Sequence, residues 1–221
     1  MSKRLRTDNN YAQALAEAGF FVCVIEQRGM SSRLTSQCSK SNNSCRHLTF
    51  SYLLHRYTLP GERILDGMSV LNWLYSRSDI VGSVGCTGHS AGGATALWLS
   101  ALDERIYTSV ISGYFNSFKG SILAMEHCEC NYVPGILSLG EMGDLAALIA
   151  PRPLCLLNGE QDSIFPAAHA RTEFNTVQKA YALVGQPDAA ILNIHSGEHV
   201  YNNKKSIDWF SKWLPLTKAT S

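Results

Sequence analysis

The chain has 221 residues, of which 45% are apolar and 17% charged, and its formal net charge is +1. This length suits one α/β domain with a sizeable core, and the composition argues against a disordered chain. The near-zero charge argues against a partner recruited by bulk electrostatics, so we expect neither nucleic acid nor a membrane surface.

Short apolar runs alternate with helical patterns, which predicts βα units and a mainly parallel sheet with helices on both faces. The predicted strands are Phe20–Glu26, Ser83–Thr87, Tyr107–Ser112, Leu154–Asn158 and Ala190–His195. Apolar spacing predicts helices through Ile64–Tyr75, Ala94–Leu102, Pro166–Val184 and Ile207–Leu214. We therefore expect a single α/β domain over residues 1–221.

One compositional break follows the first predicted strand. Ser31–Ser44 is rich in serine, asparagine and basic residues and contains no acidic residue. We predict a polar loop there, within an excursion over residues 31–58 near the functional site, although a plain surface loop is the commoner case. In the turn before it, we expect Arg28 to have a structural role through a salt bridge with Glu26.

The most informative motif is Gly88-His89-Ser90-Ala91-Gly92-Gly93, which fits the Gly-x-Ser-x-Gly pattern between a predicted strand and a predicted helix. In that context the serine occupies a sharp strand-to-helix turn, and the helix N-terminus favours developing negative charge. Ser90 is therefore the candidate nucleophile, with a structural turn serine as the alternative. We expect His89 to shape the substrate pocket, because adjacent side chains on a sharp turn diverge.

Two later loops supply the base and the carboxylate that a serine nucleophile needs. Asp162 is the preferred acid, because a Gly-x-x-Asp loop followed by Phe-Pro places it just beyond a strand, and Glu160 is the alternative. His199 is the preferred base, because a Gly-containing loop can turn it back toward Ser90. The alternative, His195, lies at the strand end, where packing is a sufficient role.

The seven cysteines are predicted to be reduced, because the basic stretch 1–6 is not followed by the apolar region of an export signal. No run reaches transmembrane length, so we expect a cytoplasmic protein. Cys38 with Cys45, or Cys128 with Cys130, could pair or bind metal, but neither spacing matches a zinc signature, so we predict no metal. Three other cysteines lie in apolar runs and are predicted to be buried: Cys23, Cys86 and Cys155.

Together these segments resemble the α/β-hydrolase superfamily, and within it the dienelactone-hydrolase and acetyl-xylan-esterase-like serine esterases. The resemblance covers about residues 11–214, and further motifs that carry it are 27–29, 112–115, 128–135 and 150–154. It implies hydrolysis of carboxylic esters with short acyl chains, by a triad of Ser90, Asp162 and His199. The Ala91 N–H would bind the oxyanion, a small-molecule ester would be the substrate, and no cofactor is implied.

Members of this group carry two or three strands and a His-Gly loop before the helix that begins here near Asn10. That loop donates the second oxyanion N–H. We expect the third strand to be missing between Phe20–Glu26 and Ser83–Thr87, so that these two pair directly or another segment or subunit fills the place. An open edge favours a homo-oligomer. The alternatives are a ligand- or partner-binding protein with little activity, and a serine peptidase or amidase.

Overall fold

The computed structural model describes residues 10–38 and 43–214. Its four strands form one parallel sheet in chain order: β1 (Val84–His89), β2 (Ile106–Ser112), β3 (Leu154–Gly159) and β4 (Ala190–His195). The register pairs His89 with Ser112, Ser112 with Leu157, and Gly159 with His195. The carboxyl ends of the strands therefore meet at one edge of the sheet, where ligands bind in open α/β folds.

Seven α-helices connect or cover the strands within the described residues. They are α1 (Tyr11–Glu17), α2 (Cys45–Leu54), α3 (Leu59–Tyr75), α4 (Ala91–Leu102), α5 (Met142–Ala147), α6 (Ala167–Leu183) and α7 (Asn203–Trp213). The four predicted helices correspond to α3, α4, α6 and α7. None of the helices in the described part of the chain is both long and apolar enough to cross a membrane.

Side chains alternate between the two faces of the sheet, and each face has its own apolar core. On one face Ile111, Leu154 and Leu156 are fully buried and share a core with α4, α5 and α6. The other face buries a smaller set against α1 and α7: Val110, Cys155 and Leu157. Strand β3 is covered on both faces, which explains the continuous apolar run Leu154–Leu157.

The predicted strand Phe20–Glu26 is wrong. Residues 20–27 form no strand and run between α1 and the turn at 28–29. Their apolar side chains are partly in solvent, with exposed fractions of 62% for Phe21 and 73% for Val24. Cys23, predicted to be buried, is also exposed. An apolar run becomes a strand only when a neighbour completes its backbone hydrogen bonds, and no described segment does so here.

The edge of β1 that faces away from β2 adjoins a groove instead of a strand. This groove has a volume of about 460 Å³ and separates β1 from residues 19–27. Apolar side chains from α1, α3 and α7 line much of it, among them Leu15, Leu71 and Phe210. The direct pairing of Phe20–Glu26 with Ser83–Thr87 is therefore not formed. We call the groove and residues 20–27 the open flank.

The excursion at 31–58 contains more regular structure than a polar loop. Two short 3-10 turns, Ser31–Arg33 and Ser36–Cys38, precede α2. Part of the predicted loop, residues 39–42, lies outside the described residues. Helix α2 contacts the 3-10 turn Glu129–Asn131, which follows β2 in the chain.

Arg28 pairs with α3 and not with Glu26 as predicted. Its Nε and Nη2 donate to Asp66 over 2.8 and 2.9 Å, and its Nη1 lies 2.9 Å from Glu62. Arg33 Nη1 is 2.7 Å from the same Asp66 carboxylate. Burial opposes ionisation of Asp66, but the hydrogen bonds from the two guanidinium groups outweigh it and lower the pKa of this carboxyl. These ion pairs anchor the turn after residues 20–27.

Candidate active site

Ser90 lies at the turn between β1 and α4. Its backbone has φ 54° and ψ −120°, a strained conformation for a residue other than glycine. The Ser90 N–H donates to the Ser112 carbonyl oxygen over 2.9 Å, which ties the turn to β2. A Cβ at Gly88 would lie 2.1 Å from the Gly92 oxygen, and one at Gly93 would lie 2.6 Å from the Ser112 oxygen. The flanking glycines are thus required by close backbone approach.

Asp162 and His199 are brought together from the loops after β3 and β4. Asp162 Oδ2 lies 2.7 Å from His199 Nδ1, and Asp162 Oδ1 accepts from the N–H groups of Ile164 at 2.9 Å and Phe165 at 3.0 Å. Burial opposes ionisation of Asp162, but the hydrogen bonds from His199 and the two backbone groups outweigh it and lower its pKa. An ionised carboxylate only accepts, so Nδ1 carries the imidazole proton.

The other ring nitrogen of His199 is Nε2, the atom that a Ser-His-Asp triad would direct to the serine Oγ. Nε2 is buried and has no hydrogen-bond partner in the part of the chain that the structure describes, and no bond to Ser90 Oγ is formed there. A Cβ at Gly113 would lie 3.0 Å from His199 Cε1, and Gly113 directly follows the Ser112 carbonyl that holds Ser90. The serine turn and the imidazole therefore converge on the end of β2.

His89 packs against His199 with 4.6 Å between ring centroids, and its Nδ1 lies 3.1 Å from Ser112 Oγ. Burial, together with the neighbouring His199, lowers the pKa of His89 to about 4, so the ring is neutral near pH 7. His89 thus lies beside the candidate base. Its contact with substrate stays a prediction.

The alternative acid and base have other partners. Glu160 is exposed and forms an ion pair with Arg171. His195 lies at the end of β4, where its Nδ1 accepts from the Gly197 N–H over 3.2 Å. Within the described part of the chain, neither side chain forms a hydrogen bond to Asp162 or His199. The geometry therefore favours the preferred pair over the alternatives.

Two further residues belong to the site and were not assigned from the sequence. Phe165 stacks on the His199 ring, with centroids 5.7 Å apart and an interplanar angle of 19°. Gly113 has φ 58° and leaves the space that the imidazoles of His89 and His199 occupy. An aromatic residue in a loop has no distinctive sequence spacing. The need for glycine at position 113 is seen only when the folded chain brings His89 and His199 beside it.

Known proteins resemble this chain in sequence and in fold. No protein-family model matches the chain. The Bacillus subtilis (strain 168) protein named "Putative hydrolase YtaP" is 27% identical over 214 residues, which are 93% of this chain and 69% of that protein.

Solved structures show the same architecture. One described as a putative acetyl xylan esterase from Bacteroides fragilis aligns with a TM-score of 0.75 at 17% identity, over 94% of this chain and 58% of that one. A glucuronoyl esterase of carbohydrate esterase family 15 from Caldicellulosiruptor kristjansonii aligns with a TM-score of 0.60 at 18% identity, over 74% of this chain and 52% of that one. The chain thus spans little more than half the length of these solved structures.

The fold class is therefore confirmed: this chain has the α/β-hydrolase fold, with a parallel sheet between layers of helices. The predicted resemblance to serine esterases is confirmed at the level of the fold, since both solved structures above are described as esterases.

Proposed function

We propose that this chain hydrolyses carboxylic esters through an acyl-enzyme formed on Ser90. The observation that carries the proposal is His199, whose Nδ1 is fixed by Asp162 while its buried Nε2 has no partner among the described residues. The 2.7 Å contact with Asp162 sets the tautomer in which Nε2 can accept a proton, and none of the described carboxylates forms such a pair with His195. Nε2 is the atom that would take the proton of Ser90 Oγ.

The proposed acylation step uses all three residues of the candidate triad. Ser90 Oγ attacks the ester carbonyl carbon while its proton passes to Nε2 of His199, and the carbonyl π electrons move to the oxygen. Asp162 holds the correct tautomer and stabilises the imidazolium. The tetrahedral intermediate then collapses, the bond to the alkoxy group breaks, and Nε2 returns the proton to the leaving alcohol.

Deacylation repeats the same steps with water as the nucleophile, which releases the carboxylic acid and restores Ser90. In both steps the negative oxygen needs donors. Ala91 is the first residue of α4, so its N–H belongs to the first turn, which has no partner within the helix. We propose this N–H as one oxyanion donor, aided by the positive end of the helix dipole.

We propose esters with short acyl groups as the substrate class. The rings of His89 and Phe165 flank His199, with centroids 4.6 and 5.7 Å away, which favours a small group next to the base. The esterase descriptions of the solved neighbours support an ester as the scissile bond.

The test is hydrolysis of p-nitrophenyl acetate by the wild type and by Ser90→Ala. We expect Ser90→Ala to lower kcat by more than about 10³-fold, because a serine nucleophile and its base act as a unit. Ser138→Ala, at an exposed serine on a 3-10 turn, is the matched control and should retain activity. Undiminished hydrolysis by folded Ser90→Ala would overturn the proposal.

A ligand-binding protein with little turnover is the second candidate, and the open flank favours it. In this fold the second oxyanion donor comes from the loop between the third strand and the following helix. Here a groove lies beside β1 on the side where that strand pairs. A fluorophosphonate probe separates the two candidates: rapid labelling of Ser90 supports the esterase, and no labelling of folded protein supports the binder.

A serine peptidase or amidase is tested by comparing the hydrolysis of an ester and an amide that carry the same acyl group.

A further inference from the structure

Three cysteines from distant parts of the sequence meet outside the candidate active site. Cys45 is the first residue of α2, Cys128 directly precedes the 3-10 turn Glu129–Asn131, and Cys130 is the middle residue of that turn. Their three Sγ atoms lie within 4.8 Å of one another, and those of Cys128 and Cys130 are 3.4 Å apart. Cys45 and Cys130 are buried, whereas Cys128 is partly exposed, so solvent has access from one side.

A buried cation faces this cluster. Arg63 of α3 is only 4% exposed, and its Nη2 lies 2.7 Å from the Arg28 carbonyl oxygen and 3.0 Å from Cys45 Sγ. None of the described carboxylates forms an ion pair with this guanidinium. A buried cation without a carboxylate favours negative charge on its other partner, which here is sulfur.

A thiolate is the form of cysteine that binds metal. The guanidinium of Arg63, 3.0 Å from Cys45 Sγ, favours this form at the cluster.

We propose that Cys45, Cys128 and Cys130 form a binding site for one soft d¹⁰ cation such as Zn²⁺. Zinc–sulfur bonds of about 2.3 Å in tetrahedral geometry separate the sulfur atoms by about 3.8 Å, which small side-chain rotations would reach from the present arrangement. A dication would bind the three cysteines as thiolates, and the protons that the thiols lose on binding would pass to the solvent. The resulting net charge of −1 would lie opposite Arg63.

The site would be structural and separate from the ester chemistry. It would clamp α2 to the segment that follows β2. That segment continues from His127, whose ring centroid lies 5.3 Å from that of Phe165. The fourth position would face the partly exposed side of Cys128, where water can complete the coordination.

The sequence predicted no metal site for a simple reason. A Cys-x-Cys pair with a remote third cysteine does not match a standard zinc-binding spacing.

The test is a titration of the reduced, metal-free protein with Cd²⁺, a d¹⁰ probe whose thiolate complexes absorb in the ultraviolet. We expect one equivalent to bind, with sulfur-to-metal absorption and release of protons to the solvent. Cys128→Ser changes the partly exposed ligand and should weaken binding at least about 100-fold, since even outer-shell changes cost about 10–100-fold. Cys38→Ser, outside the cluster, is the matched control and should bind as the wild type does.

A second readout guards against misfolding of the variant. Zn²⁺ should raise the Tm of the wild type and of Cys38→Ser but leave that of Cys128→Ser unchanged, because a ligand stabilises only the state that binds it. Three outcomes overturn the proposal: no stoichiometric binding, binding that survives Cys128→Ser, or thiol titration showing that two of the three cysteines form a disulfide. None of these readouts depends on hydrolysis, so the site and the proposed esterase succeed or fail separately.

Discussion

The two edges of β1 lie in different environments. On one edge, β2 continues the hydrogen-bonded ladder, and Ser90 is tied to it through the Ser112 carbonyl. On the other edge lies the open flank, where a groove of about 460 Å³ replaces a strand. The Asp162–His199 pair comes entirely from the closed side. The difference teaches that the candidate site is supported by the β1–β4 sheet, while residues 20–27 pack only in part on the core and lead into a turn that ion pairs hold to α3.

The largest effect should come from the acid on the closed side. Asp162→Asn is expected to lower kcat for p-nitrophenyl acetate by about 10⁴, because asparagine favours the wrong tautomer of the histidine. Glu160→Gln, in the same loop but paired with Arg171, should change kcat little. Comparable losses in the two variants would show that the carboxylate has been misassigned.

Stability should also differ between the two sides. Leu156 is fully buried in the sheet, so Leu156→Ala should lower the free energy of unfolding by about 2–5 kcal/mol. Val24 on the open flank is 73% exposed, and Val24→Ala should stay within about 0.5 kcal/mol of the wild type. Urea unfolding measures both. A large loss of unfolding free energy in Val24→Ala would mean that residues 20–27 are covered in solution. It would contradict the expected difference between the two sides of β1.

The third effect depends on pH and tests the burial of His89. Its folded pKa of about 4 lies below the unfolded value of about 6.5. As pH falls through that interval, His89 is protonated in the unfolded chain but stays neutral in the folded protein. The free energy of unfolding therefore falls, by up to about 1.4 kcal/mol per pH unit. His89→Asn should reduce the loss of Tm between about pH 6.5 and pH 5.

The matched control for this pH effect is His55→Asn, at an exposed histidine, which should leave the pH profile as it is in the wild type. The lowered pKa of Asp162 contributes only at lower pH, because its stabilisation is lost as pH falls below the unfolded value of about 4. An unchanged profile in His89→Asn would show that the ring is hydrated in solution.

The smallest effect should come from the polar anchor of the open flank. Asp66→Ala removes the carboxylate shared by Arg28 and Arg33 and should cost about 1 kcal/mol, the upper range for partly exposed ion pairs. The cost should shrink at about 1 M salt, where screening is strong. Asp79→Ala, in an exposed pair with Arg77, should cost less. A salt-independent loss would point to packing as the cause.

Much of the fold could be predicted because local patterns were sufficient. The strands through Val110 and Leu156 carry apolar runs that match burial on both faces, and α3 and α6 have clear helical spacing. Phe20–Glu26 has the same kind of run and was wrongly predicted, because a strand also needs a partner that no local pattern reveals.

The site was partly predictable for the same reason. Ser90, Asp162 and His199 each follow a strand, and parallel strands bring their carboxyl ends to one edge. Phe165 and Gly113 were not assigned, because their roles depend on how loops pack across the sheet. The partner of Arg28 was wrong because Asp66 lies 38 residues further along the chain. The cluster of Cys45, Cys128 and Cys130 was not predicted, because Cys128 and Cys130 lie 83 and 85 residues after Cys45 in the sequence.

The strand order has a consequence for how the protein is made. Every sheet pairing joins consecutive strands, so each strand can dock on the one synthesised just before it. Folding during synthesis can therefore proceed from β1 to β4 without waiting for a distant partner. His199 lies beyond β4, so it can reach Asp162 only after all four described strands have been synthesised. A nascent chain would thus carry its serine turn early and would gain the candidate base last.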